Sequence, residues 1–114
     1  MKTAHLIKKT PEFKKIFKEG RRLKGPHFVL YIQKNALGAA RLGFAISKNH
    51  CKLATRRNRL RRVAKEFFRQ EIGHYFKGYD IVVASRAVCG KQDIKKAAKD
   101  IKELLFNAKS MKND

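Results

Sequence analysis

Apolar residues recur along this chain with two different periods, and the switches between them predict its elements. Phe13, Ile16 and Phe17 share a face at i, i+3, i+4 spacing. They follow Thr10-Pro11-Glu12, which supplies a capping hydroxyl, a proline for the first helical position and an early acid. Gly20 suits the position past the end, so a helix is predicted over 11–19. The period then falls to two. His27 to Lys34 alternates Phe28, Leu30 and Ile32 against Val29, Tyr31 and Gln33, and Arg41 to Lys48 alternates Leu42, Phe44 and Ile46 against Gly43, Ala45 and Ser47. Asn35 to Gly38 reads as the hairpin connection between these two strands. Tyr79 to Ser85 is a further strand, and Arg21 to Lys24 a short edge segment.

The helical period returns twice. From Lys52 to Ile72, stopping near Gly73, Leu60, Val63, Ala64 and Phe67 fall on one stripe at about 100° per residue, with Phe68 at its edge. From Asp93 to Phe106, Ile94, Ala97, Ala98, Ile101, Leu104 and Leu105 face inward, while Lys95, Lys96, Lys99, Asp100 and Glu103 read as an ordinary solvated surface. Helix, two strands, helix, strand, helix is an α+β order. Its economical architecture is a two-layer α/β sandwich of about four strands and three helices, in a single domain over 1–114 with loose ends at 1–9 and 110–114. One sheet face is bulky and should carry the core. The other offers Gly43, Ala45, Ser47 and Ala84 around Tyr31, which suits either a shallow trough or a docked helix.

Charge changes this picture. Lysine and arginine number 29 against 9 acids, a formal net charge of +20, while 43% of residues are hydrophobic. That is too apolar for a disordered basic tail and too unbalanced to be at ease without an anionic partner. The imbalance concentrates on the helix over 52–72, where Arg56, Arg57, Asn58, Arg59, Arg61, Arg62, Lys65 and Arg69 surround the apolar stripe and Glu66 is the only acid between residues 48 and 70. Arg57 with Arg61 and Arg61 with Lys65 repel across one turn, which argues against a merely solvated face and for a phosphate-reading ridge. Nearly every exposed position there is arginine or lysine, which positions on backbone and reads no base sequence. Phe13, Phe17 and Tyr31 near Lys14 and Lys18 are candidates for stacking unpaired bases, with core packing as the alternative.

The chemistry needed to break bonds is missing. The acids form no close pair on an element expected to face the basic surface, the histidines at 5, 27, 50 and 74 fall in different elements, and no glycine-rich phosphate loop is present. His50 beside Cys51 lacks the partner cysteines of a zinc site. No catalytic and no metal-ligating residue is therefore expected. Two cysteines, no spanning apolar run and no signal-like start lead to the expectation of a reduced, cytoplasmic protein without membrane contact.

These residues resemble the protein subunit of bacterial ribonuclease P along nearly the whole chain. The likeness runs through Phe13-Lys14-Lys15-Ile16-Phe17-Lys18-Glu19-Gly20-Arg21, Phe28-Val29-Leu30-Tyr31, Arg41-Leu42-Gly43-Phe44-Ala45-Ile46-Ser47-Lys48 and Ala54-Thr55-Arg56-Arg57-Asn58-Arg59-Leu60-Arg61-Arg62. The resemblance implies a split βαβ-type fold with a left-handed crossover, like domain 2 of ribosomal protein S5. It implies that the catalytic RNA subunit docks on Arg56, Arg57, Asn58, Arg59, Arg61, Arg62, Lys65 and Arg69. It further implies that the 5′ leader of precursor tRNA lies against Phe13, Lys14, Phe17, Tyr31 and Lys48. Hydrolysis would then belong to the RNA, with Mg2+ held mainly by RNA phosphates, and no obligate protein partner is expected. The stretch Asn49-His50-Cys51-Lys52-Leu53 departs from the glycine and small residues common there. The alternative is a basic ribosomal or ribosome-assembly RNA-binding protein, equally free of catalytic groups.

Overall fold

The computed structural model describes residues 4–6, 10–86 and 94–111. Among the described residues five strands form one mixed sheet: β1 (Ala4–Leu6), β2 (Arg21–Lys24), β3 (Phe28–Lys34), β4 (Ala40–Ala45) and β5 (Tyr79–Ser85), in the spatial order β1-β4-β5-β3-β2. Three helices complete it: α1 (Thr10–Glu19), α2 (Ala54–Phe67) and α3 (Ile94–Asn107). The amino end, expected to be loose up to residue 9, thus contributes a strand parallel to β4, with Ala4 opposite Ala40. Three residues are too few for a period to show, which is why about four strands were expected and five are found. At the other end Ser110 and Met111 continue a 3-10 turn, Ala108–Met111, instead of fraying; residues 1–3, 7–9 and 112–114 lie outside the described residues, as does Asp93.

β3 pairs antiparallel with β5 and with β2, while β4 runs parallel to β5, so α2 is the crossover between adjacent parallel strands. The register aligns Ile32, Ile81 and Leu42 across the sheet, then Leu30, Val83 and Phe44, and these side chains point to one face. Against it pack Leu60, Ala64, Phe68 and Ile72 from α2 and its continuation, and Ala97, Ile101, Leu104 and Leu105 from α3. Each fully buried leucine, isoleucine or phenylalanine among them adds about 1.5–3 kcal/mol relative to exposure. β4 stops at Ala45 instead of continuing to Lys48, because Ser47 is drawn into a turn. Its carbonyl accepts from the N–H groups of His50 (3.1 Å) and Cys51 (2.9 Å).

The long basic helix is not uniform. After Phe67 the chain widens into a π turn, Phe68–Ile72, then tightens into a 3-10 turn, Gly73–Phe76. The buried line is Leu60, Ala64, Phe68, Ile72, all fully buried, while Val63 and Phe67 are only half-buried. A four-residue repeat drifts by about 40° per step around an α-helix. Widening the last turn cancels that drift and keeps Ile72 on the core side. The turns that follow hold the β3–β4 connection against the entry to β5. Gly78, at φ +85°, accepts from the Asn35 N–H (2.7 Å) and donates to the Ala39 carbonyl (3.2 Å).

Candidate nucleic-acid interface

α1 crosses the opposite face of the sheet. Ile16 is its buried anchor on Val82, with Phe13, Tyr31 and Ala45 packed around them. So the face of small residues carries a helix, and it also keeps a trough, because α1 covers only part of it. Ala84 on β5 and Ala45 on β4 lie on central strands yet remain half-buried, so among the described residues the sheet beyond α1 is only partly covered. Phe17 walls this trough at 39% exposure, edge-on to Tyr31 with centroids 4.8 Å apart; Phe13 lies 6.2 Å from Phe17. Three adjacent rings, none fully buried, form an apolar, π-rich wall. Lys14 is exposed on α1, and Lys48 is exposed in the turn after β4.

The ends of the trough are pinned by polar contacts. On the sheet row below Tyr31, Gln33, Asp80 and Arg41 align across three strands. Arg41 donates to both carboxylate oxygens of Asp80 (Nε 2.8 Å, Nη2 2.7 Å) and through Nη1 to Glu12 Oε2 (2.7 Å). The Asp80 hydrogen bond, more than Glu12, holds the Arg41 guanidinium pKa above its ordinary value against the opposing effect of burial. Glu12 lies in the first turn of α1, so this cluster ties the helix to β4 and β5. At the other end, the Ser85 hydroxyl accepts from the Ser47 N–H (2.9 Å) and hydrogen-bonds His50 Nδ1 (2.8 Å). Cys51 is buried in the main core. Within the loop Asn49–Leu53, His50 and Cys51 are thus held by a hydrogen bond and by core packing, while Leu53 stays 50% exposed. Among the described residues no three His, Cys, Asp or Glu side chains are grouped as a metal ion would need.

On α2 the cations divide by what they touch. Arg59, Arg62 and Lys65 are exposed; Arg56 and Arg61 are half-buried. Asn58 Oδ1 accepts from Arg61 Nη1 (2.9 Å), so the asparagine orients an arginine. Arg57 uses Nη1 to donate to the carbonyls of Cys51 (2.8 Å) and Lys52 (3.0 Å), stitching down the loop before a helix whose start has no side-chain cap. Arg69 is paired with Glu66 at 3.1 Å, an exposed contact worth little in stability that still shields its charge. No acid occupies the first turn of α2, where Arg56 and Arg57 oppose the helix dipole. An anion brought there relieves that cost. The sequence did not reveal the Arg41–Asp80–Glu12 cluster. The only signal was one charge at the end of each of two apolar strands.

Fold and surface together define a class: small, strongly basic α+β domains with a cationic helix on one face of the sheet. The family model described as Ribonuclease P matches residues 1–109. The ribonuclease P protein component of Clostridioides difficile (strain 630) is 38% identical over 100 residues, covering 87% of this chain and 87% of that protein. That of Thermotoga maritima is 45% identical over 75 residues, 66% of this chain and 63% of the relative. The solved RNase P protein from Thermotoga maritima superposes with a TM-score of 0.72 at 32% identity, over 94% of this chain and 96% of that one. The Staphylococcus aureus RNase P protein gives 0.77 at 27% identity, over 91% and 94%. The chain belongs to the ribonuclease P protein family, as the component of a ribonuclease complex.

Proposed function

We propose that this protein is the non-catalytic subunit of the ribonuclease P ribonucleoprotein, promoting 5′-end maturation of tRNA. In this reading the RNA subunit docks on α2 through Arg56, Arg59, Arg61, Arg62 and Lys65, with Asn58 orienting Arg61 and Arg57 holding the loop. The 5′ leader of precursor tRNA lies in the trough on Phe13, Phe17 and Tyr31, with Lys14 and Lys48 beside its phosphates. One observation carries the reading. α1 and α2 pack on opposite faces of one sheet, so a single small domain offers two separate polyanion surfaces. A body charged +20 between two RNAs lowers their mutual repulsion, and the aromatic wall favours precursor over mature tRNA because only the precursor has a leader to stack.

In this reading no step runs through a metal ion held by the protein. Magnesium bound by RNA supplies the hydrolytic chemistry. The protein's residues bind and orient. The test is reconstitution: precursor tRNA with a ribonuclease P RNA at low magnesium, with and without the protein, and with the protein alone. Cleavage only when both are present supports the reading. Cut products from the protein alone, or no gain on adding it, refute it.

A further inference from the structure

Between α2 and α3 lies a groove that neither the basic ridge nor the aromatic trough accounts for. The two helices pack side by side. Two depressions, of about 320 Å³ and 310 Å³, open between them and adjoin at Val63 and Lys102, which line both. Arg59 and Arg62 line the groove from α2; Lys95, Lys99 and Lys102 line it from α3. Its floor is apolar and only half-buried: Val63, Phe67 and Ala98. One acid, Glu66, also lines the groove and pairs with Arg69 at 3.1 Å, and Glu103 pairs with the rim cation Lys99 at 3.8 Å, which leaves Arg59, Arg62, Lys95 and Lys102 as the cations that carry the net positive charge of the rims.

We propose that this groove is a second RNA-binding site, taking a single phosphodiester strand of the same RNA partner that α2 engages; it rests on the reading of α2 given above. Charge complementarity selects the occupant. Cations on both rims of a narrow groove leave an acidic strand lying along it with phosphates on either side, while sugar or base faces cover Val63, Phe67 and Ala98. The apolar residues explain why the helical stripe of α2 extends past its buried line. Val63 and Phe67 are half-buried on the groove floor, and Phe67 also packs against the edge of the core. Arg59 and Arg62 stand where ridge and groove meet, so the docking surface is two helices wide and Lys95 and Lys102 join it.

The test compares three double variants for affinity to ribonuclease P RNA across a salt series, with circular dichroism to confirm folding. All six substitutions are at exposed or half-exposed positions. Lys95→Ala with Lys102→Ala is expected to weaken binding roughly ten- to thirtyfold at about 0.1 M salt and to flatten the log-log salt slope by about 1.4 units, the share of two single-strand phosphate contacts. Lys77→Ala with Lys96→Ala removes the same charge from positions outside the groove and is expected to change the slope little. Arg61→Ala with Lys65→Ala tests α2 itself. Loss in the α2 pair with none in the groove pair overturns the groove site and leaves the proposed function standing. Equal loss in the groove and control pairs also overturns it, because only net charge is then being read. No loss in either the α2 or the groove pair overturns both.

Discussion

Replacing Arg41 with methionine tests whether the trough is held open by one buried ion cluster. Methionine keeps the aliphatic packing of the stem and deletes the guanidinium. Arg41 is 14% exposed and Asp80 7%, and three charge-assisted hydrogen bonds of 2.7–2.8 Å are lost at once. The Glu12 arm is 34% exposed and belongs with weak surface pairs, under about 1 kcal/mol. The Asp80 arm is different. Its carboxylate would keep Asn35 Nδ2 (2.7 Å) as a donor but lose its countercharge, and stranding a buried charge costs about 3–5 kcal/mol. With Asn35 remaining, the total should be about 3 kcal/mol, a fall in Tm of roughly 12 °C at about 4 °C per kcal/mol for a domain of this size. Asp80→Asn added to Arg41→Met should recover more than half of that, since the uncharged amide still accepts from Asn35. The guanidinium's raised pKa would let its contribution fade only as pH climbs through that raised value. The loss should therefore be flat between about pH 6 and 9. Thermal denaturation by circular dichroism measures all three proteins. A single-variant cost under about 1 kcal/mol, or a double variant as unstable as the single, refutes the reasoning.

Other outcomes follow from the same geometry. Phe17→Leu keeps apolar volume but removes the ring set against Tyr31, and Phe17→Leu with Tyr31→Leu should weaken precursor tRNA binding by roughly 1–3 kcal/mol per lost base contact, leaving mature tRNA affinity unchanged in a filter-binding comparison. Equal loss for both tRNAs would return these rings to a packing role. Gly25→Ala places a methyl carbon 2.5 Å from Asp100 Oδ1 and 3.0 Å from Leu104 Cδ1. Asp100 must then release the His27 N–H it holds at 2.9 Å, and a fall in stability of about 1–3 kcal/mol is expected in urea denaturation. Phe68→Ala, emptying a fully buried ring site at the start of the π turn, should cost about 3–5 kcal/mol by the same measurement.

Much of the candidate interface was legible because its signals are local. A cationic run on a helical period needs no knowledge of the rest of the chain, and α2 bears that run where the spacing put it. The roles within the run were not legible. That Arg57 braces a loop, that Asn58 aims Arg61 and that Arg69 is shielded by Glu66 depend on rotamers and on where the loop before α2 returns. Likewise the residues Lys95 and Lys99 read as solvent-facing, which is true of α3 alone. They become one rim of a groove only when α2 lies alongside.

By itself the sequence determined the period of every long element and the excess of positive charge, since each is a property of residue type and spacing. Tertiary structure decided what no period encodes. β1 is three residues long and exists only because β4 offers it an edge; Ile72 stays inward only because a π turn absorbs the helical drift. On the small-residue face both a docked helix and a trough are present, because α1 seats on only part of it. Its seat depends on Ile16 against Val82 and Glu12 on Arg41, contacts between segments far apart in the chain whose free energy appears only once the sheet has formed.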